Sequence, residues 1–261
     1  MPIDQATIAF ANKLADTAGR VILPFFRQRI DVTDKGKGYF DPVTAADKGA
    51  EEAIRAVIKA EQPQDGILGE EYGEEKGAGA RRWVLDPVDG TRAFIAGQPM
   101  WGTLIALEED ERPVLGVLDQ PFLEERFIGH DGQATLRDRT GTRPLAVRRC
   151  AGLPEAVICT THPFLHFGDD MRERYFRVER AALLSRYGGD CYAYALVAMG
   201  FVDLVIEADL KRWDVAAIIP IIEGAGGVIS DWQGRPCHHG GPVIASGDLR
   251  VHAQALKLLQ S

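Results

Sequence analysis

The chain contains no long apolar run, no internal repeat and no low-complexity tract, and no charged-then-apolar leader opens it. A membrane-spanning helix is therefore not expected. Its four cysteines, Cys150, Cys159, Cys191 and Cys237, stand without paired ligand spacing, which argues against a zinc site and for reduced thiols. A basic excess is missing too. With 38 acidic and 30 basic residues the net charge is −8, which argues against nucleic acid or an anionic membrane surface as the main partner. What remains is an ordinary soluble globular composition, 46% hydrophobic and 26% charged, with the cytoplasm as the expected location. The 261 residues suffice for a large core, built as one domain or as two tightly joined halves.

The stretch Trp83 to Gly97, WVLDPVDGTRAFIAG, concentrates the chemistry. A short apolar strand, Trp83 to Leu85, ends in Asp86, and a proline-fixed turn leads to Asp89, Gly90 and Thr91. Two carboxylates at the mouth of one strand cannot both be buried without cations between them. Hard divalent ions such as Mg²⁺ take oxygen ligands of this kind. Pro87 has no N–H to place, which leaves the Val88 carbonyl free to face the same ion. Gly90 permits close backbone approach, and N–H groups around Gly90 and Thr91 suit a phosphate oxygen. The plainer alternative is a strand exit with two solvated aspartates. A phosphatase pattern with nucleophile and acid two residues apart, D-x-D-G-T, is excluded because Pro87 stands two before Asp89.

Around this stretch the hydrophobic pattern predicts an amphipathic helix over Asp4 to Arg27, kinked or ended by Pro24, and a second helix from Thr44. Between them, residues 34–44 read as a glycine- and lysine-rich loop. Successive strands to Val147 suggest an antiparallel sheet under the two helices. Near Arg148 to Pro154 the pattern changes to alternating strands and helices, which suggests a mainly parallel sheet covered on both faces. The expected division is thus 1–147, an α+β half with the metal-binding motifs, and 148–261, an α/β half completing the site. Three further carboxylate positions have two readings each. Asp47 falls in the first turn of the second helix, where it offsets the helix dipole. Glu70 and Glu71 form an adjacent pair that would ordinarily be solvated. Asp214 opens an apolar helix, where capping would satisfy it.

DPVDGT resembles the D-P-[IVL]-D-G-T signature of the inositol monophosphatase-like family, Mg²⁺-dependent phosphomonoesterases that use water as nucleophile. The same family's other motifs follow in order: VTAAD (43–47), GEE (69–71), and WDVAA with EGAGG (213–217 and 223–227). The resemblance spans nearly the whole chain. It implies an α/β (α+β) fold, the layered αβαβα sandwich shared with fructose bisphosphatase, and a site holding two to three Mg²⁺. One ion would take Glu70, Asp86 and the Val88 carbonyl; a second would take Asp86, Asp89 and Asp214; a third would sit by Glu70, completed mainly by water. Asp47 and Thr91 would aim the attacking water, with Glu71 behind the ligands. Lys35 and Lys37 either attract substrate or are simply solvated. The six histidines fit none of these motifs.

Within that family the segments RYGGDCYAY (186–194) and EADLKRWD (207–214) are most similar to the histidinol-phosphate phosphatase branch. The resemblance then implies L-histidinol phosphate as substrate, with Asp89, Gly90, Thr91, Arg186, Asp190, Glu207 and Asp214 lining its site. Arg186 and Asp190 also read as an internal ion pair, and Glu207 as a strand-end charge. The alternatives are an inositol, sugar or nucleotide phosphatase of the same fold, or a non-catalytic Mg²⁺-binding regulatory protein. A small phosphate ester is the expected partner, and the resemblance implies a homodimer.

Overall fold

The computed structural model describes residues 2–29, 31–34 and 42–261; Lys35, Lys37 and most of the loop expected at 34–44 lie outside these. Helix α1 (Gln5–Ile22) starts where Asp4 accepts the Thr7 N–H at 2.7 Å and buries Phe10, Ala11, Leu14, Ala18 and Ile22 at three- and four-residue spacing. It ends one residue before the Leu23–Phe25 turn that contains Pro24. A short ribbon, β1 (Val32–Asp34) with β2 (Pro42–Thr44), leads into α2 (Ala45–Glu61). The buried face of α2 carries Ala50, Ile54 and Ile58, as its periodicity predicts, but also Asp47, Glu51 and Arg55.

Strands β3 (Gly66–Gly69), β4 (Gly73–Glu75), β5 (Arg81–Asp89), β6 (Gly102–Glu109), β7 (Arg112–Gln120), β8 (Glu125–His130), β9 (Gln133–Asp138) and β10 (Gly141–Pro144) form one sheet in the order 10-9-8-7-6-5-3-4. It is antiparallel except that β3 runs parallel to β5. A second sheet has the order 12-11-13-15-14, from β11 (Val157–Thr160), β12 (Leu184–Tyr187), β13 (Leu204–Leu210), β14 (Val228–Asp231) and β15 (Gly241–Ser246). The mainly parallel expectation needs correcting. β11 is parallel to β12 and β13, but β15 is antiparallel to both β13 and β14. A loop without a helix joins β14 to β15, and a parallel pair needs a longer crossover.

The helices fill the layers around these sheets: α3 (Thr91–Ile95), α4 (Pro163–His166), α5 (Asp169–Ala181), α6 (Asp190–Ala198), α7 (Arg212–Val215), α8 (Ile218–Gly224) and α9 (Leu249–Leu259). On β5, Trp83 and Leu85 join the apolar cluster with α1 and α2, while Val84 joins the one with α6 and α8. That alternation is what a strand covered on both faces requires. A third cluster joins the far face of the second sheet to α5 and α9. The layers therefore run helix, sheet, helix, sheet, helix, an αβαβα sandwich with an α6–α8 layer common to both sheets. The parallel pairs β3–β5 and β11–β13 send their carboxyl ends toward a single cavity, the usual place for a site in such sheets.

Candidate active site

Residues three apart on a regular strand face opposite sides. The β5–β6 register shifts between Asp86 and Asp89, and this irregularity lets both carboxylates reach the same cavity. Pro87 and Val88 form the bulge, held where Thr103 Oγ1 donates to the Pro87 carbonyl at 2.7 Å and the Val88 N–H donates to Asp86 Oδ1 at 3.1 Å. Gly90 follows with φ +83° and opens α3. A Cβ there would lie 3.0 Å from Asp190 Cβ and 3.1 Å from Trp101 Cα, so a larger residue would be strained by the backbone and tightly crowded by its neighbours.

Asp214 comes from the other half. It sits in the first turn of α7, where Oδ2 accepts the Lys211 N–H at 2.6 Å as the helix-start reading expects, and it also lines the cavity. One carboxylate oxygen each from Asp86, Asp89 and Asp214 lies within 4.8 Å of the others. Glu70 lines the same cavity at the end of β3, its N–H donating to the Leu85 carbonyl at 3.2 Å. Burial, and then the charges of Glu70, Asp89 and Asp214, push Asp86 well above the usual carboxylate range. Burial pushes Asp89 up to about 6, and burial followed by the Asp89 charge pushes Asp214 well up. Among the described residues no lysine or arginine forms an ion pair with these three. An oxygen-only, desolvated, mutually repelling set of this kind fits a hard divalent cation.

Asp47 is buried behind the cluster. Its Oδ2 accepts the N–H of Thr44 at 2.9 Å and the hydroxyl of Thr44 at 2.5 Å, capping α2, while Thr91 Oγ1 donates to Oδ1 at 3.4 Å. Thr91 also lies 3.1 Å from the Val88 carbonyl. Burial raises the Asp47 carboxyl to about 6. Glu71 turns its N–H to Glu51 rather than to the cluster, at 2.8 Å.

Asp190 and Glu207 line the far side of the cavity. Asp190, at φ +42°, opens α6 in a backbone conformation unusual for a side chain-bearing residue. Burial, then the Asp89 charge, raises it to about 7, with Arg92 opposing. Glu207 sits where the β13–β15 register shifts and accepts the Thr161 N–H at 2.6 Å, the Thr161 hydroxyl at 2.8 Å and the Thr160 hydroxyl at 3.3 Å. Burial still raises it to about 8. Arg186 does not join them. It is exposed on the edge strand β12 and is not among the residues lining the cavity. Arg92 lines the cavity with Asp190, whose rise its charge opposes, and its Nη1 is 3.5 Å from His166 Nε2. Arg92 adjoins the DGT motif and was within reach of a sequence reading. His166 and Thr161 also line the cavity without any motif to mark them, and Tyr194, which closes the RYGGDCYAY segment, lines it too.

The chain matches the family model of the inositol monophosphatase family over residues 4–261. It belongs to that family. Family members are metal-dependent, typically on Mg²⁺, and this inositol monophosphatase-family phosphatase carries the acidic cluster such dependence requires. It is 43% identical over 267 residues to the bifunctional phosphatase IMPL2, chloroplastic, of Arabidopsis thaliana, covering 97% of this chain and 74% of that protein. It is 34% identical to the histidinol-phosphatase of Mycobacterium tuberculosis, covering 97% and 96%. Its fold is similar to an inositol monophosphatase from Zymomonas mobilis with a TM-score of 0.87 and 42% identity, covering 98% of each chain. Among the described residues no helix is long and apolar enough to cross a membrane.

Proposed function

We propose that this phosphatase hydrolyses L-histidinol phosphate to L-histidinol and phosphate. The observation that carries the reading is the second pair of buried acids, Asp190 and Glu207, lining the cavity beside the Asp86–Asp89–Asp214 cluster. Histidinol brings an ammonium and an imidazole that protonates near neutral pH, whereas inositol brings only hydroxyls. Carboxyls held up to about 7 and about 8 gain from a cation beside them. The likeness to proteins named histidinol-phosphatase supports the same choice.

In this reading Glu70, Asp86 and the Val88 carbonyl hold one Mg²⁺, Asp86, Asp89 and Asp214 a second, and Glu70 a third, weaker one. Bound there, the ions neutralise the phosphate and acidify the attacking water. Thr91 Oγ1, 3.4 Å from Asp47 Oδ1, would aim that water and pass its proton toward the Asp47 carboxylate. The half at 1–147 thus supplies most of the metal ligands and the water-aiming pair. The half at 148–261 supplies Asp214 and the acids that meet the alcohol. Arg92 holds Asp190 in place. The reading takes the protein as a cytoplasmic homodimer.

A second reading, an inositol 1-phosphate phosphatase, is favoured by Glu207 already accepting three hydrogen bonds. A non-catalytic Mg²⁺-binding role has against it that every acid the hydrolysis needs is present. Phosphate release from a panel of esters, with and without Mg²⁺, separates the three. L-Histidinol phosphate should be cleaved fastest and only with the metal. Faster release from inositol 1-phosphate would overturn the substrate assignment, and no release from any ester would favour the regulatory role.

A further inference from the structure

On α2, Asp47, Glu51 and Arg55 stand four residues apart and form one polar stripe down the buried face of an otherwise apolar packing surface. Asp47 reaches Thr91. Glu51, 0% exposed, does something no motif marks. Its Oε2 accepts the Glu71 N–H at 2.8 Å, and its Oε1 accepts the Tyr72 N–H at 3.2 Å and Arg55 Nε at 2.8 Å. Arg55 Nη2 donates in turn to the Gly73 carbonyl. The turn between β3 and β4 is only Glu70, Glu71 and Tyr72. Its first N–H goes to Leu85, next to Asp86, and the other two go to Glu51. The backbone that presents Glu70 is therefore held from both sides. Gly69 makes the grip possible, because a Cβ there would lie 2.0 Å from Glu51 Oε1 and 2.7 Å from Oε2.

We infer that Glu51 is a positioning residue for the metal site: it uses its buried carboxylate to fix the Glu70 turn, so that α2 aligns Glu70 and, through Asp47, Thr91 from one rigid element. Burying this carboxylate is offset only in part by Arg55, and the two backbone N–H groups complete its shell. The inference rests on the reading of Glu70 as a ligand. Outer-shell partners of a metal site typically contribute ten- to a hundredfold in affinity, and Glu51 belongs in that range although it touches neither cation nor substrate.

The test is calorimetric titration of Mg²⁺ alone into the metal-free full-length protein and four variants. Glu51→Gln puts an amide where two N–H groups and a guanidinium need acceptors, and should weaken Mg²⁺ binding about tenfold. Gly69→Ala keeps every charge but displaces the carboxylate, and should weaken it similarly, which separates positioning from the loss of a negative charge. Asp119→Asn breaks a buried ion pair of the same type with Arg126, away from the cavity, and should leave the affinity within about twofold. Amide exchange at Glu71 and Tyr72 in the metal-free protein should quicken in Glu51→Gln and stay unchanged in Asp119→Asn. Binding within twofold of wild type in both Glu51→Gln and Gly69→Ala overturns the inference, as does equal weakening in Asp119→Asn. Glu70→Gln keeps the two failures distinct. If it binds Mg²⁺ normally, the ligand assignment fails; if it alone weakens binding, only the role of Glu51 fails.

Discussion

The molecule buries two kinds of acid. Glu108 is 0% exposed and lies between Arg82, at 2.8 Å, and Arg212, at 2.7 Å. Asp119 is paired with Arg126 at 2.6 Å, and Glu51 with Arg55 at 2.8 Å. Asp86, Asp89 and Asp214 each bring an oxygen within 4.8 Å of the other two, yet among the described residues they form no ion pair with a guanidinium or ammonium. Burial raises Asp119 as it raises Asp86, but Arg126 opposes the rise in one case and four neighbouring acids add to it in the other. Among the described residues the arginines thus serve the structural acids, while the cluster keeps the unpaired charge that a bound divalent cation would offset. The difference separates acids paired within the fold from the acids proposed to hold a ligand.

That contrast breaks most sharply at its two extremes. Asp86→Asn should lower turnover by more than about a hundredfold, beyond the range of outer-shell partners. The same change removes a repelling charge, so the metal-free protein should melt no lower than wild type. Arg126→Met makes the opposite change, leaving Asp119 buried without its cation. Urea unfolding should show a loss of about 3 kcal/mol, with turnover per folded molecule unaltered.

Two smaller effects sharpen the comparison. Asp190→Asn should reduce kcat/KM for L-histidinol phosphate roughly ten- to a hundredfold, the worth of a desolvated charge-assisted hydrogen bond of about 1.5–3 kcal/mol. Glycerol 2-phosphate, which has no ammonium, should lose little, and equal losses on both would make Asp190 structural. The least effect concerns a group kept neutral rather than paired. His252 is buried between the hydroxyls of Ser230 and Ser246, at 2.9 and 2.8 Å, and burial lowers it to about 4. The unfolded chain therefore binds its proton first, and stability present above about pH 6.5 is lost as pH falls toward 4. His252→Gln should flatten that limb by at most about 1.4 kcal/mol per pH unit in denaturant titrations.

The acids of the cluster were legible because each stands in a short motif whose residue types follow from metal chemistry. The layers were legible because apolar periodicity on α1, α2 and the long strands reports which faces are buried. Strand direction leaves no such mark, so the second half reads as a mainly parallel sheet although β15 runs antiparallel to both its neighbours. β12 escaped because it is an edge strand with exposed Leu184, Arg186 and Tyr187, and without a buried face there is no alternation to read. The same exposure explains Arg186, which the family pattern placed beside Asp190 and the fold places on the rim of a sheet. Thr161 and His166 reach the cavity through tertiary packing alone, whereas Arg92 directly follows the DGT motif. Glu51 was hidden more simply, since on a helix surface a glutamate four residues before an arginine reads as a solvated pair.

The Asp86–Asp89–Asp214 cluster should be strained by its own charge until a divalent cation relieves it. Thermal unfolding of the wild type and of Asp86→Asn, each with a chelator and with Mg²⁺, tests this directly. The wild type should gain stability with Mg²⁺, about 2.7 kcal/mol at a hundred times the Kd, while metal-free Asp86→Asn should match or exceed metal-free wild type and gain little on adding the ion. A metal-free Asp86→Asn that melts well below wild type, or an equal gain from Mg²⁺ in both proteins, would contradict it.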